Sequence, residues 1–174
     1  MKRTLIQSSC LFLLLFFGFS MQKLNAQKLV FLFGHGIYDA PTGSMANYYN
    51  YGLGVEGGVG IGLNKTFLTG TIGYTNFFNK SGSPAGDLKY VPIKVGLRHY
   101  LVTKLLFFNL NAGVASVDNK LMSGSARFTA DAGLGAKVGP LDLGINYDGF
   151  AGTNGVSSGW NSWFSFKAGF RIGL

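Results

Sequence analysis

The residues that decide the fold run from Tyr49 to Leu63 and read YNYGLGVEGGVGIGL. Tyrosine, leucine, valine or isoleucine occupies nearly every odd-numbered position, whereas asparagine, glycine and one glutamate occupy the even-numbered ones. Successive side chains of a β-strand point to opposite faces of a sheet. This period of two therefore predicts a strand with one apolar face and one face that is small or polar.

The same alternation recurs along the chain and predicts eight strands, at 28–38, 49–63, 66–78, 88–101, 105–117, 125–138, 141–149 and 162–174. Three connections are short and four are longer: 64–65, 102–104 and 139–140 against 39–48, 79–87, 118–124 and 150–161. Most of the strands reach the roughly 9 to 11 residues that a tilted strand needs to cross a bilayer. The predicted fold class is all-β, an eight-stranded antiparallel up-and-down transmembrane β-barrel.

The N-terminal segment 1–26 has the order of a cleaved signal peptide. Lys2 and Arg3 precede an apolar run at 11–19, and a polar stretch follows it up to Ala26. The predicted mature domain is therefore 27–174, exported from the cell interior.

The composition of that mature domain excludes several kinds of site. Cys10 is the one cysteine of the chain and leaves with the signal, which excludes disulfides and thiolate metal sites. Without the basic residues of the signal, 12 Lys and Arg remain against 7 Asp and Glu. Because this modest charge is not clustered, a nucleic-acid partner is not expected.

Three segments carry a family resemblance: the glycine-alternating strand 51–63, the segment VPIKVGLRHY at 91–100, and the terminal GFRIGL at 169–174. They resemble the small bacterial outer-membrane β-barrels typified by the OmpA membrane domain and its relatives without a periplasmic domain. The resemblance implies a monomer in the outer membrane, in contact with outer-membrane lipid and inserted by the barrel-assembly machinery. It does not imply an activity, because members of such a family differ in function.

The polar face of the strands carries most of the charge of the chain. Since unpaired charges in a narrow lumen are costly, these residues are expected to form salt bridges. The interior of an eight-stranded barrel is filled by side chains, so this network is expected to plug the lumen and not to form an ion path. The predicted lumen network is Glu56, Lys94, Arg98, Arg127, Asp131, Lys137, Asp142, Asp148, Lys167 and Arg171.

Aromatic residues collect near the predicted strand ends, where the rings of membrane barrels form girdles at the bilayer interfaces. The expected girdle at the long-loop end contains Tyr38, Tyr48, Tyr49, Phe77, Phe78, Phe150, Trp160 and Trp163, and the girdle at the other end contains Phe67, Tyr100, Phe107 and Phe170.

Two short motifs match enzyme fingerprints by letter. GLGVEG at 52–57 fits the dinucleotide pattern, but that pattern needs a following helix, and here more strand follows. GVSSG at 155–159 fits the nucleophile elbow, yet it lies in a loop. A lipid hydrolase would pair Ser157 with His35 as its base, since His99 is expected at the opposite interface.

The sequence thus predicts a non-enzymatic outer-membrane barrel that contributes to envelope integrity or contacts a surface partner through the loops 39–48 and 150–161. No catalytic residue, cofactor or metal is predicted. Two alternatives stay open. One is a barrel-embedded lipid-modifying hydrolase, and the other is a soluble, exported, lipocalin-like ligand carrier, which would need apolar residues inside the barrel.

Overall fold

The computed structural model describes residues 30–101, 105–120, 122–152 and 159–173. The segment 1–26, predicted to be a signal peptide, lies outside them. The elements in chain order are β1 Val30–Thr42, helix α1 Met45–Tyr48, β2 Tyr49–Leu63, β3 Thr66–Asn79, β4 Leu88–Tyr100, β5 Leu106–Asn119, β6 Met122–Val138, β7 Leu141–Gly152 and β8 Gly159–Gly173. All eight predicted strands are present.

The strands form one closed barrel in which each strand pairs antiparallel with its neighbours in sequence. β1 and β8 close it through a register that runs from Phe31 opposite Gly173 to Thr42 opposite Ser162. The predicted fold class is confirmed, and because the sheet is closed it has no free edge for another chain to pair with.

The two ends of the barrel differ in their connections. At one end, called the turn end, β2–β3, β4–β5 and β6–β7 are joined by tight turns, and Asn64 (φ 57°) and Gly139 (φ 60°) adopt the left-handed conformation that such turns favour. The other end, called the loop end, carries the longer connections, α1 among them. Within the described segments no helix is long and apolar enough to span a bilayer.

The outer surface of the barrel wall is apolar. Outward-facing side chains in the middle of the strands are aliphatic or aromatic and exposed; Val95 has 66% of its surface accessible and Leu134 has 65%. The same outward face includes Leu32, Val55, Ile61, Leu68, Ile72, Leu97, Leu110, Val114, Phe128, Ile145, Phe170 and Ile172. The alternation read from the sequence therefore faces its apolar side away from the lumen.

Pro92 lies inside β4, where its missing N–H predicts a bulge or a local break. The pairing of β4 with β5 continues through Pro92 opposite Ala115. On the β3 side, ladder pairs are missing between Ile72–Ile93 and Thr75–Tyr90, but the register is the same before and after the gap. The structure thus has a break without a bulge at this proline.

A register shift in β2 corrects one expectation. The ladder of β2 with β3 slips between Tyr49 and Tyr51, so Tyr49 turns into the lumen while Tyr51 stays outside. Tyr49 is 2% exposed and Tyr51 is 37% exposed. The prediction that Tyr49 belongs to the outer apolar face is therefore wrong, because the irregularity reverses the parity of the strand at that point.

Most of the aromatic residues expected in girdles lie inside the barrel. Two buried clusters fill its two ends. The loop-end cluster contains Met45, Tyr49, Phe77, Ala85, Leu88, Tyr90, Ala115, Val117, Phe150 and Trp163. The turn-end cluster contains Phe31, Phe33, Phe67, Tyr100 and Phe107.

Among the aromatics expected in girdles, Tyr38, Trp160 and Phe170 are exposed on the outside, and Phe78 is half-buried. The girdle prediction was wrong for the residues of the two clusters because nearness to a strand end does not decide parity. A side chain at the end of a strand can face either the lipid side or the lumen, and these face the lumen.

Glycine on the inner face makes room for these rings. A Cβ atom added to Gly60 would collide with the ring of Phe31, which lies directly over it. That ring also packs 5.1 Å, centroid to centroid, from Phe67. The glycines of β2 thus permit large aromatic side chains from neighbouring strands to fill a narrow lumen.

Candidate functional site: the charged lumen

The polar centre of the lumen lies between the two aromatic clusters. Its ionisable side chains come from six strands and point inward, because each occupies the inner parity of its strand. They are buried: Lys94 is 5% exposed, Asp131 is 6% exposed and Asp142 is 1% exposed. At such burial a charged group must be compensated by charges and hydrogen bonds of the protein.

Lys94 joins opposite sides of the lumen. Its Nζ lies 2.9 Å from Asp131 Oδ2 and 2.6 Å from Asp148 Oδ2, so one ammonium from β4 serves carboxylates from β6 and β7. The other oxygen of Asp148 accepts a hydrogen bond from the backbone N–H of Gly149 at 2.8 Å. Tyr90 closes this side, with its hydroxyl 2.6 Å from Thr129 Oγ1.

Asp131 is held by amides as well as by the lysine. Its Oδ1 accepts hydrogen bonds from the Nδ2 groups of Asn111 and Asn146, both at 2.7 Å, and from Asn109 Nδ2 at 3.3 Å. Three strands thus direct a donor at one carboxylate oxygen. This Asp131 group, made of Lys94, Asp148, the three asparagines and Asp131 itself, has its charge satisfied on both oxygens.

A second chain of contacts crosses the lumen toward the turn end. Arg98 Nη1 lies 2.5 Å from Asp142 Oδ2, and His35 Nε2 lies 3.7 Å from the same oxygen. His35 Nδ1 contacts Glu56 Oε1 at 2.9 Å, and Lys167 Nζ contacts Glu56 Oε2 at 2.7 Å. These five residues form the Asp142 group, in which cations and carboxylates alternate.

The structure brings seven of the ten predicted lumen residues into these two groups: Glu56, Lys94, Arg98, Asp131, Asp142, Asp148 and Lys167. Arg127, Lys137 and Arg171 are half-buried and form no ion pair with a carboxylate in the described part of the chain. Arg127 Nε donates to Ser125 Oγ at 3.1 Å.

Arg171 is partnered by aromatic rings and not by a carboxylate. Its guanidinium carbon lies 3.6 Å from the ring centroid of Phe31, and its Nη1 donates to the hydroxyl of Tyr100. Arg98 stacks in the same way at 4.1 Å from Phe107. Both guanidinium groups therefore cover the inner side of the turn-end cluster through cation–π contacts.

His35 and Asp39 were missed as members of the lumen network. The strand FLFGHGIYDA at 31–40 places apolar residues on both faces, so alternation does not reveal which face is inside. Asp39 is 1% exposed, and its Oδ1 accepts a 2.5 Å hydrogen bond from Ser165 Oγ across the closing seam. Their polarity within an otherwise apolar strand was the signal that could have identified them.

The geometry does not favour His35 as a catalytic base. Both ring nitrogens face carboxylates in the middle of the lumen, and the side chain is 6% exposed. Ser157, its proposed partner, lies outside the described residues. His99 sits on the outer face near the turn end, with Nδ1 2.8 Å from Thr66 Oγ1. Within the described segments no three His, Cys, Asp or Glu side chains converge on a possible metal site.

The space left inside the charged centre is small. One cavity of about 20 Å³ is lined by residues of both groups, among them Arg98, Asn109, Asp131 and Asp142. A channel for hydrated ions needs a continuous path, whereas this volume holds one or two water molecules. Aromatic clusters lie above and below it.

Two solved structures share this architecture. Neisserial surface protein A has 12% sequence identity and a TM-score of 0.57, over 83% of this chain and 97% of that protein. The N-terminal β-barrel domain of OprF from Pseudomonas aeruginosa has 14% identity and a TM-score of 0.55, over 85% of this chain and 100% of that domain. No protein-family model matches the chain, and no curated protein matches its sequence. The fold of the small outer-membrane barrels, as the sequence resemblance implied, is confirmed.

Replacing Lys94 by methionine removes the cation but keeps most of the side-chain volume. Asp131 and Asp148 would then repel each other without a counter-charge, and breaking a buried pair in this way costs about 3–5 kcal/mol. Lys89→Met is the matched control, since Lys89 is an exposed residue of the same strand. Its expected cost is below about 0.5 kcal/mol. Urea unfolding of the refolded barrels, followed by tryptophan fluorescence, measures both; equal midpoints would contradict the central role of Lys94.

Proposed function

We propose that the protein is a non-enzymatic barrel of a bacterial outer membrane whose lumen is a structural plug, and that it contributes to envelope integrity or contacts a partner through its loop end. The observation that carries the proposal is the reversed polarity of the barrel. Its apolar side chains face outward around the wall, while its charged side chains are buried in the lumen. Water-soluble barrels have the opposite arrangement.

The outer wall supports residence in a lipid phase. In water, an apolar surface that surrounds the molecule would be an aggregation site, whereas in a bilayer it is solvated by acyl chains. The strands have 12 to 17 residues, enough to cross the hydrocarbon region with tilt. The polar lumen also disfavours the lipocalin-like alternative, because an apolar ligand would have to displace paired charges.

The filled lumen supports the role of a plug. Trp163 packs 4.9 Å from Phe77 and 5.1 Å from Tyr90, centroid to centroid, above the charged centre. The turn-end cluster and the stacked guanidinium groups lie below it. A pore would require these rings to move and the ion pairs between them to open.

The loop end supports surface contact because its connections are held against one another. Met45 of α1 and Ala85 of the β3–β4 loop are inserted into the loop-end cluster. The backbone N–H of Lys80 donates to Tyr48 O at 2.8 Å, and that of Lys120 donates to Ala85 O at 3.2 Å. Such a preorganised surface loses little conformational entropy when a partner binds.

This arrangement changes which residues are available for contact. In the predicted loop 39–48, the first four residues belong to β1, and Asp39 is buried. The exposed residues of the loop end include Gly43, Asn47, Ser81, Gly82, Pro84, Asp87, Lys120 and Gly124. Residues 153–158 of the other predicted contact loop lie outside the described part of the chain.

Residence in a bilayer predicts that the cost of an outward arginine depends on its depth. Val95 lies in the middle of β4, and Leu106 is the first residue of β5 at the turn end; both face outward. Val95→Arg is expected to destabilise the folded barrel by about 2–4 kcal/mol in lipid, and Leu106→Arg by about 0–1 kcal/mol. Equilibrium unfolding in phospholipid vesicles compares the two, and equal costs would argue against a transmembrane position.

Exposure of the loop end at the cell surface can be tested with single cysteines, since the predicted mature domain has none of its own. Ser81 is exposed at the loop end, and Lys65 is exposed in the β2–β3 turn. A membrane-impermeant maleimide is expected to label Ser81→Cys on intact cells and Lys65→Cys after permeabilisation. The reverse pattern would invert the orientation, and labelling of neither variant in permeabilised cells would remove the protein from the envelope.

A plugged lumen predicts no ion conduction. Refolded protein, shown to be a closed barrel by its heat-dependent shift in gel mobility, is expected to produce no conductance steps in planar lipid bilayers. The same preparation after boiling is the control for contaminants. Steps whose frequency rises with the amount of folded barrel, and which disappear on boiling, would show that the lumen is an ion path.

A further inference from the structure

Three buried polar atoms in the lumen lack a hydrogen-bond partner among the described residues: Arg98 Nε, Asn109 Oδ1 and Asp142 Oδ1. Buried polar groups are almost always paired in folded proteins, and an unpaired one costs stability. Here one is a donor and two are acceptors. Their residues are 6%, 8% and 1% exposed, so bulk solvent does not satisfy them.

All three residues line the same cavity, whose volume is about 20 Å³. A buried water needs at least about 10–15 Å³ measured in this way, and it commonly makes about three hydrogen bonds. The orientation of the Asn109 amide is fixed by its own contacts. Its Nδ2 donates to Asp131 Oδ1 at 3.3 Å, which leaves Oδ1 as the acceptor on the other side of the amide.

We infer that this cavity is a binding site for one water molecule, which accepts a hydrogen bond from Arg98 Nε and donates its two protons to Asn109 Oδ1 and Asp142 Oδ1. A water molecule supplies the one acceptor and two donors that these atoms require. A metal cation would be repelled by the guanidinium N–H, and an anion by the Asp142 carboxylate.

The water site connects two parts of the lumen that otherwise share no hydrogen bond or ion pair within the described residues. Arg98 and Asp142 belong to the Asp142 group, and Asn109 belongs to the Asp131 group. One water molecule therefore completes a single network across the charged centre. This inference goes beyond the proposed function and does not depend on what the loop end contacts.

A crystal structure of the refolded protein at a resolution that shows ordered solvent tests the site directly. The expected result is one density peak in the cavity, about 2.7–3.2 Å from all three atoms. A soak in rubidium chloride distinguishes a cation by its anomalous signal. An empty cavity, or an anomalous peak inside it, would overturn the inference.

A pair of variants tests it in solution. Asn109→Leu removes one acceptor at similar volume, whereas Thr71→Val removes a hydroxyl that lines the same cavity and that the water does not use. Counting long-lived internal waters by magnetic relaxation dispersion should give one fewer for Asn109→Leu and no change for Thr71→Val. Equal counts in both variants would overturn the inference. If Asn109→Leu fails to fold, the wild-type barrel decides, since an Arg98 Nε proton without a cross-relaxation peak to water would also overturn it.

Discussion

The ammonium of Lys94, placed between the carboxylates of Asp131 and Asp148, is the interaction on which the interior depends. It joins β4 to β6 and β7 across the lumen, whereas backbone hydrogen bonds join strands that are adjacent in the wall. The contact spans the lumen, so it opposes ovalisation of the barrel as well as compensating charge. Removing either side would leave charge without water, and this constraint fixes the rest of the polar centre.

The aromatic clusters follow from the same constraint. Paired charges are strongest where water is excluded, because the local dielectric is low. Phe31 and Phe107 exclude water at the turn end and also stack on the guanidinium groups of Arg171 and Arg98. Trp163 and its neighbours do so at the loop end, where α1 and the β3–β4 loop pack over them. The plug is therefore a layered structure of rings, ion pairs and rings.

The strands were predictable because alternation is a local property of the chain. The strand 49–63 was predicted with the bounds that the structure shows, and seven of the ten lumen charges lie in the network. The prediction failed where parity was not local. A register slip turned Tyr49 inward, and rings such as Phe77 and Trp163, near strand ends, face the lumen and not the lipid. His35 was missed because its strand is apolar on both faces.

The amino-acid sequence by itself determined the number of strands, their order and the polarity of their two faces, since each depends on residues that are neighbours in the chain. The tertiary structure alone decided which charges meet. Lys94 and Asp148 are 54 residues apart, and Lys167 and Glu56 are 111 apart. Their contacts depend on closure of the sheet and on the stagger of eight strands. A shift of one residue in any register would send these side chains to the opposite face, and no pattern within a single strand fixes that register.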